Sequence, residues 1–290
     1  MSPPLKFQTS RLAPLTALAL CCFVAHTAVA LSCVWRVTGP NGGTLYLGGS
    51  VHALRRTDYP LPAAYNRALD ASSRLVFEDD PKTGSKATKD LLRAGTYTDG
   101  DNLKNHVDRR TYDYLRRFFG LVNIPEGAFS KYRPWLLNLL LSSPSSEQWQ
   151  LGVERYLQRR AGGSKPIFGL ESAEEHNGVF ANLSDREAEA LLLILFVNAG
   201  RRDAGGDNIF EAWRHGDADA LARIVHDSFR DFPSLGERML TARNRNWLPK
   251  IETFLRSDQT YFVVVGAAHL GGPGGVLSML RARGYRAEQL

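Results

Sequence analysis

"TLYLGGSVH" (44–52) and "YFVVVGAAH" (261–269) decide the fold. Each is an apolar run that reaches a glycine and then, three residues later, a histidine: Gly49 with His52, and Gly266 with His269. A short uninterrupted apolar run reads as a strand covered on both faces. A glycine at its end lets the chain turn sharply and leaves room beside an imidazole. Two such endings, more than 200 residues apart, predict two strands that finish at one place.

Working outward, "CVWRVTGPNGGTLYLGGSVH" holds two β-rich runs around Asn41-Gly42, the pattern of a hairpin. "RLVFEDD" and "KPIFGLE" are further short apolar strands, ending at Glu78 and Glu171. Between them, from about residue 86 to 160, apolar residues recur at helical spacing. "GVERYLQRRAGG" reads as a helix closed by glycines. "SDREAEALLLILFVNA" opens with Ser184 and Glu187 in capping-box spacing. "GDADALARIVHDSF" and "LTARNRNWLPKIETFLR" are amphipathic helices, and the C-terminus reads as a helix and a short strand. The order predicts an α/β (mixed α+β) fold: a single central mixed sheet flanked by helices, with a helical insertion in the middle.

Composition bounds the function. The 290 residues are 43% hydrophobic and 23% charged, enough apolar side chain for one sizeable core. Residues 1–30 carry Lys6 and Arg11 ahead of an apolar run ending Ala28-Val29-Ala30, which predicts a secretory signal cleaved after Ala30. Residues 31–290 are then the mature domain, in the periplasm or outside the cell, with no stable transmembrane segment. Losing two cations lowers the formal charge from +6 to +4. No Lys/Arg tract is interleaved with aromatics, which argues against nucleic acid. Cys33 would be the lone mature cysteine, so an internal disulfide or a thiolate zinc site is excluded.

In open sheets, ligands bind beyond the carboxyl ends of the strands. His52, Glu78, Glu171 and His269 all stand at such ends. Two imidazoles and one or two carboxylates can hold a divalent ion such as Mn, Co or Zn, which would acidify a bound water. Arg243, in "TARNRNW", could hold a carboxylate of the site or a substrate oxyanion, although its spacing fits a surface helix arginine. Glu171 could instead cap the following helix. His176 reads as surface, and "GGPGG" (271–275) reads as a flexible turn or lid beside His269. No H-E-x-x-H and no G-x-S-x-G occurs.

"LYLGGSVHALRRTDYPLPAAYNRALDASSRLVFE", "KPIFGLESAEEH" and "RNRNWLPKIETFLRSDQTYFVVVGAAHLGGPGGVLSMLRARGYRAEQL" together resemble the TraB/GumN family. That family is related to the Tiki metalloproteases and more distantly to erythromycin esterase-like and ChaN-like proteins. The resemblance implies one α/β sheet. For the Tiki branch it implies metal-dependent proteolysis at positions matching His52, Glu78 and His269, with Glu171, Arg243 and Asn244 at the matching "GLE" and "RN" elements. Two departures stand out: Glu154 replaces the usual acid in "LGVERYL", and His176 replaces a glutamine. The expected activity is an exported, metal-dependent, peptidase-like hydrolase with a peptide or other small substrate. The other readings are a periplasmic binding protein for haem, metal or peptide, and a metal-free esterase-like hydrolase with histidine as base.

Overall fold

The computed structural model describes residues 31–80, 82, 84–200 and 206–290. The expected signal, residues 1–30, lies outside the described residues. The described strands are β1 (Val34–Thr38), β2 (Thr44–Ser50), β3 (Arg74–Asp79), β4 (Ile167–Glu171), β5 (Tyr261–Gly266) and β6 (Arg286–Gln289). The helices are α1 (Ala63–Ala71), α2 (Gly84–Ala94), α3 (Arg109–Leu121), α4 (Glu126–Phe129), α5 (Pro134–Ser142), α6 (Ser146–Leu151) and α7 (Val153–Ala161). They continue with α8 (Ala173–Ala181), α9 (Asp185–Gly200), α10 (Gly206–Arg214), α11 (Ala218–Ser228), α12 (Pro233–Gly236), α13 (Ala242–Leu255) and α14 (Val276–Ala282).

The strands form one mixed sheet in the order β4-β3-β5-β2-β1-β6. The Asn41-Gly42 signal does make a hairpin: β1 pairs antiparallel with β2, and Gly42 takes φ 84° in the loop. The four strands carrying the site run parallel, β2 with β5, β5 with β3, and β3 with β4. Their central positions are the apolar runs read from the sequence, with Leu45, Leu47, Leu75, Val76, Phe262, Val263 and Val264 buried. Helices on both faces are therefore expected of these strands. At the far edge β6 pairs antiparallel with β1. Ser32 N–H donates to the Leu290 carbonyl at 2.9 Å, so the two ends of the domain meet.

Local chemistry sets the helix limits. α7 stops at Gly162, which adopts the left-handed φ of 53°. Ser184 and Glu187 exchange hydrogen bonds at the start of α9. The middle of the chain builds its own apolar cluster, with Leu103, Tyr112, Leu115, Phe119, Phe129, Leu137 and Leu192 packed together. That is the helical insertion. Cys33 is buried with no disulfide partner among the described residues, and burial pushes its thiol up to about 12. Among the described residues no helix is long and apolar enough to cross a membrane.

Candidate active site

The parallel pairing brings the carboxyl ends of β4, β3, β5 and β2 to one edge of the sheet, in that order. Ser50 stands opposite Gly266, and Asp79 opposite Glu171. His52 follows two residues after Ser50, and His269 three after Gly266. All four expected strand-end residues thus reach the same edge.

The residue that ties them together is Arg243. A π-helical turn, Glu237–Thr241, leads into α13, whose Asn244, Trp247, Leu248, Ile251 and Leu255 are buried. Arg243 lies on the same side. Its Nε donates to Glu171 Oε1 at 2.8 Å, and its Nη2 donates to Glu171 Oε2 at 2.8 Å and to Glu78 Oε2 at 2.7 Å. Its side chain is only 12% exposed and stacks 4.8 Å from the Trp247 ring. Burial opposes its charge, but Glu171 and Glu78 more than offset that and hold it firmly cationic. Glu171 is not a helix cap: that role falls to Ser172, whose Oγ accepts from Glu175 N–H. His176 is half-buried on the cleft wall. Its Nδ1 lies 3.1 Å from Glu171 Oε2, one turn into α8, because β4 delivers Glu171 directly beneath that helix start.

Burial works against ionising Glu171 and Glu78, and their partners win. His176 and Arg243 hold Glu171 down at about 2. Glu78 is held well below the usual carboxylate range by His269, Arg243, His52 and the Gly266 N–H, which donates to Oε1 at 2.6 Å. That close approach needs a glycine: a Cβ on Gly266 would stand 3.2 Å from the same oxygen.

His269 is buried. Desolvation, joined by the charge of Arg243, pushes its imidazole down to about 4 despite Glu78. It is neutral at pH 7, so there the ionisation of Glu78 rests on Arg243, His52 and the Gly266 N–H. The tautomer follows from Asn244. The Asn244 amide nitrogen donates to the carbonyls of His269 and Gly274, so its oxygen faces the ring and accepts from Nδ1–H at 2.7 Å. Nε2 then carries the lone pair, 3.4 Å from Arg243 Nη1.

His52 is the exposed member, with 58% of its side chain accessible. Its Nδ1 meets Glu154 Oε1 at 2.7 Å. Gly152 makes this possible. Its α-carbon passes so close to the His52 carbonyl that a Cβ would overlap that oxygen at 2.2 Å, and Val153 N–H donates to the Val51 carbonyl at 3.1 Å. The start of α7 is thereby clamped to the end of β2. The Glu154 carboxylate raises the His52 pKa, with water at the ring screening the attraction. Burial opposes ionisation of Glu154, and His52 overcomes it.

His52, Glu78, Asp79, Glu154, His176 and Arg243 line a cleft of about 480 Å³, with Phe77, Leu91, Leu139, Trp149 and Phe180 as apolar wall. A binding cleft commonly has this size and mixture. A wider depression of about 760 Å³ elsewhere holds none of these side chains. The glycine turn at 271–275 contributes to that depression and does not line the cleft, so it is no lid over His52.

Of the residues expected to hold an ion, His52 pairs with Glu154, while Glu78 and His269 lie against Arg243. Among the described residues no group of three His, Cys, Asp or Glu stands together as a metal site. The guanidinium of Arg243 already sits against Glu78 and Nε2 of His269, and a fixed cation there repels a second one. The donors that line the cleft away from Arg243 are His52, Glu154 and Asp79. In sequence, Glu154 was visible only as a departure from the family pattern, and the placement of Arg243 at the centre had no local signal.

A family model described as the TraB/PrgY/gumN family matches residues 33–289. The protein is 23% identical over 250 residues to "Uncharacterized protein YbaP" of Escherichia coli (strain K12), covering 84% of this chain and 90% of that protein. The same identity and coverage hold for "Uncharacterized protein YbaP" of Shigella flexneri. No solved structure matches.

Proposed function

The chain belongs to the TraB/PrgY/gumN family, and on that premise we propose that it is an exported hydrolase of peptide-like substrates, with the cleft at the strand ends as its active site. The observation that carries this reading is the convergence of two ion-paired centres on one cleft: His52 with Glu154, and Arg243 with Glu78 and Glu171. Export rests on the leader pattern in residues 1–30.

The chemistry follows from the pairing. Glu154 engages Nδ1 of His52 and leaves Nε2 for proton transfer in the cleft. In its neutral form, which becomes more populated as pH rises toward the raised pKa, His52 takes a proton from the water that attacks the substrate carbonyl and returns it to the leaving group. Glu154 fixes the ring and stabilises the imidazolium. Such acid–base work contributes about 10²–10⁴-fold. Arg243 supplies positive potential for the oxygen that becomes negative, an effect worth roughly 10²–10³ where one donor is removed. Glu78 and Glu171 hold Arg243 in place, and His269 with Asn244 closes the site from behind.

A divalent ion (Mn, Co or Zn) in place of the proton on His52 is the second reading. What favours it is the field at that ring: Glu154, Glu78 and Asp79 all bias His52 toward a cation. His52 and Glu154 would hold the ion, which supplies Lewis acidity.

The test is turnover of a mixed peptide and ester library by the purified protein, before and after chelation, beside His52→Ala and Glu154→Gln. Both variants are expected to lose about 100-fold or more. Activity that survives chelation selects the histidine-base reading, and activity restored by Mn, Co or Zn selects the ion. Full turnover by His52→Ala, or none by the wild type, ends the hydrolase reading.

A further inference from the structure

Three cationic and three acidic side chains line the cleft: His52, Arg155 and Arg243 against Glu78, Asp79 and Glu154. Two contacts remove four of these charges from the account. His52 meets Glu154 at 2.7 Å, and Arg243 meets Glu78 at 2.7 Å. Arg155 and Asp79 remain. Arg155 donates to the neutral Gln158 amide oxygen at 3.1 Å and stacks 5.4 Å from the Trp149 ring, with no carboxylate at ion-pair distance among the described residues. Stacking holds the guanidinium plane while leaving other N–H groups for a ligand oxygen. Asp79 ends β3 in register with Glu171, and its exposed side chain makes no hydrogen bond or ion pair among the described residues, although its charge acts on His52. The two residues flank the compensated pairs, Asp79 next to Glu78 in sequence and Arg155 next to Glu154.

We infer that the cleft selects a short zwitterionic peptide, its carboxylate bound by Arg155 and its ammonium group by Asp79. Each end of the ligand then meets the one lining charge of opposite sign that no protein side chain pairs at ion-pair distance. Leu91, Leu139 and Phe180 give the intervening side chain an apolar wall. A ligand with only one charge leaves the opposite lining residue unmatched in a partly dehydrated place, which costs affinity. The carboxylate end also gains geometry, because a guanidinium can present two parallel N–H donors to it. This inference rests on the cleft being the substrate site, but it concerns binding and does not need turnover.

The experiment is calorimetric titration of the wild-type protein, Arg155→Gln and Asp79→Asn with the tripeptide Ala-Leu-Ala, its N-acetyl form and its C-terminal amide. Chromatography of the same samples reads hydrolysis separately. Amidation is expected to weaken binding to the wild type about tenfold, the scale of one charge-assisted hydrogen bond. It should cause no further loss in Arg155→Gln, while Arg155→Lys keeps part of the discrimination. N-acetylation should behave the same way toward Asp79→Asn. Equal binding of all three peptides by the wild type overturns the inference, and so does continued discrimination by Arg155→Gln or Asp79→Asn. Discrimination at one end alone, or no binding at millimolar peptide, also overturns it. The expected binding pattern without any hydrolysis would retain this inference and sink the hydrolase.

Discussion

Replacing Arg243 by Met removes the cation but keeps most of the side-chain length. The structure says what is left behind: Glu171 and Glu78, both about 8% exposed, lose a shared partner at 2.7–2.8 Å. Glu171 alone moves from an ordinary 4.5 to about 2 in the folded protein. At about 1.4 kcal/mol per unit, that displacement corresponds to roughly 3 kcal/mol of favourable interaction at neutral pH, shared between His176 and Arg243. Breaking a buried pair while leaving its charge behind costs about 3–5 kcal/mol by mutation elsewhere, which agrees. The pH dependence gives the sharper test. In the wild type the Glu171 pKa is depressed on folding, so its contribution is complete above 4.5 and fades only as pH falls toward about 2. In Arg243→Met burial is opposed only by the partners that remain, His176 and Trp247 at Glu171 and the Gly266 N–H and His52 at Glu78, so the folded pKa values rise and acid costs the variant less than the wild type. Urea unfolding at pH 7 should show a deficit of about 3–5 kcal/mol. Between pH 7 and 4.5 the deficit should narrow, by up to about 1.4 kcal/mol per pH unit for each carboxylate that takes up a proton. A deficit that is constant over that range, or below about 1 kcal/mol at pH 7, would refute the central role given to this arginine.

Three more outcomes can be checked. His106 lies between Asp101 at 2.7 Å and Asp185 at 2.8 Å, and these carboxylates raise its pKa against the opposing effect of burial. Its contribution is therefore present below the ordinary histidine range and lost as pH rises through the raised value. His106→Ala should cost about 1 kcal/mol at pH 5.5 and clearly less at pH 8.5 by urea unfolding. Nitrogen NMR at pH 7 should find His269 neutral with its proton on Nδ1, and Asn244→Ala should abolish that preference and cost about 2–3 kcal/mol, since it orphans buried groups. A proton on Nε2 in the wild type would show the amide placed the wrong way round. Gly152→Ala should lower turnover at least as much as stability, about 1–3 kcal/mol in unfolding, because the added methyl pushes on the His52 carbonyl. Unchanged kcat/KM in a destabilised variant would show that the contact does not position His52.

The strand ends were legible in sequence because both signals are local. An apolar run followed by a glycine and a ligand-type side chain says "buried strand, then site"; β2 and β5 obeyed it, while β3 and β4 are short apolar runs that carry Glu78 and Glu171 at their ends. The hairpin was legible from Asn41-Gly42 for the same reason. Arg243 was legible only through the family pattern, since its helical spacing fits a solvated arginine equally well. What makes it central is the placement of Glu78 and Glu171, 165 and 72 residues away. His176 opens a polar helix start that fits the surface as well as the site, and only the docking of α8 on β4 puts its Nδ1 beside Glu171. The pairing of β1 with β6 has no signal in either segment, for short edge strands of mixed polarity look like loops until a partner is known.

The sheet order carries a consequence for biosynthesis. β2 gains its parallel neighbour only when Tyr261–Gly266 has been made, and Gly266 reaches back 188 residues to Glu78. A chain emerging from its amino end therefore holds an unpaired apolar edge through most of its synthesis. Loop closure over such distances is slow, and an open edge meanwhile invites other strands. Truncations that stop short of β5 should yield aggregates rather than smaller folded units, and assembly of the edge that carries the cleft should coincide with arrival of the last thirty or so residues, not precede it.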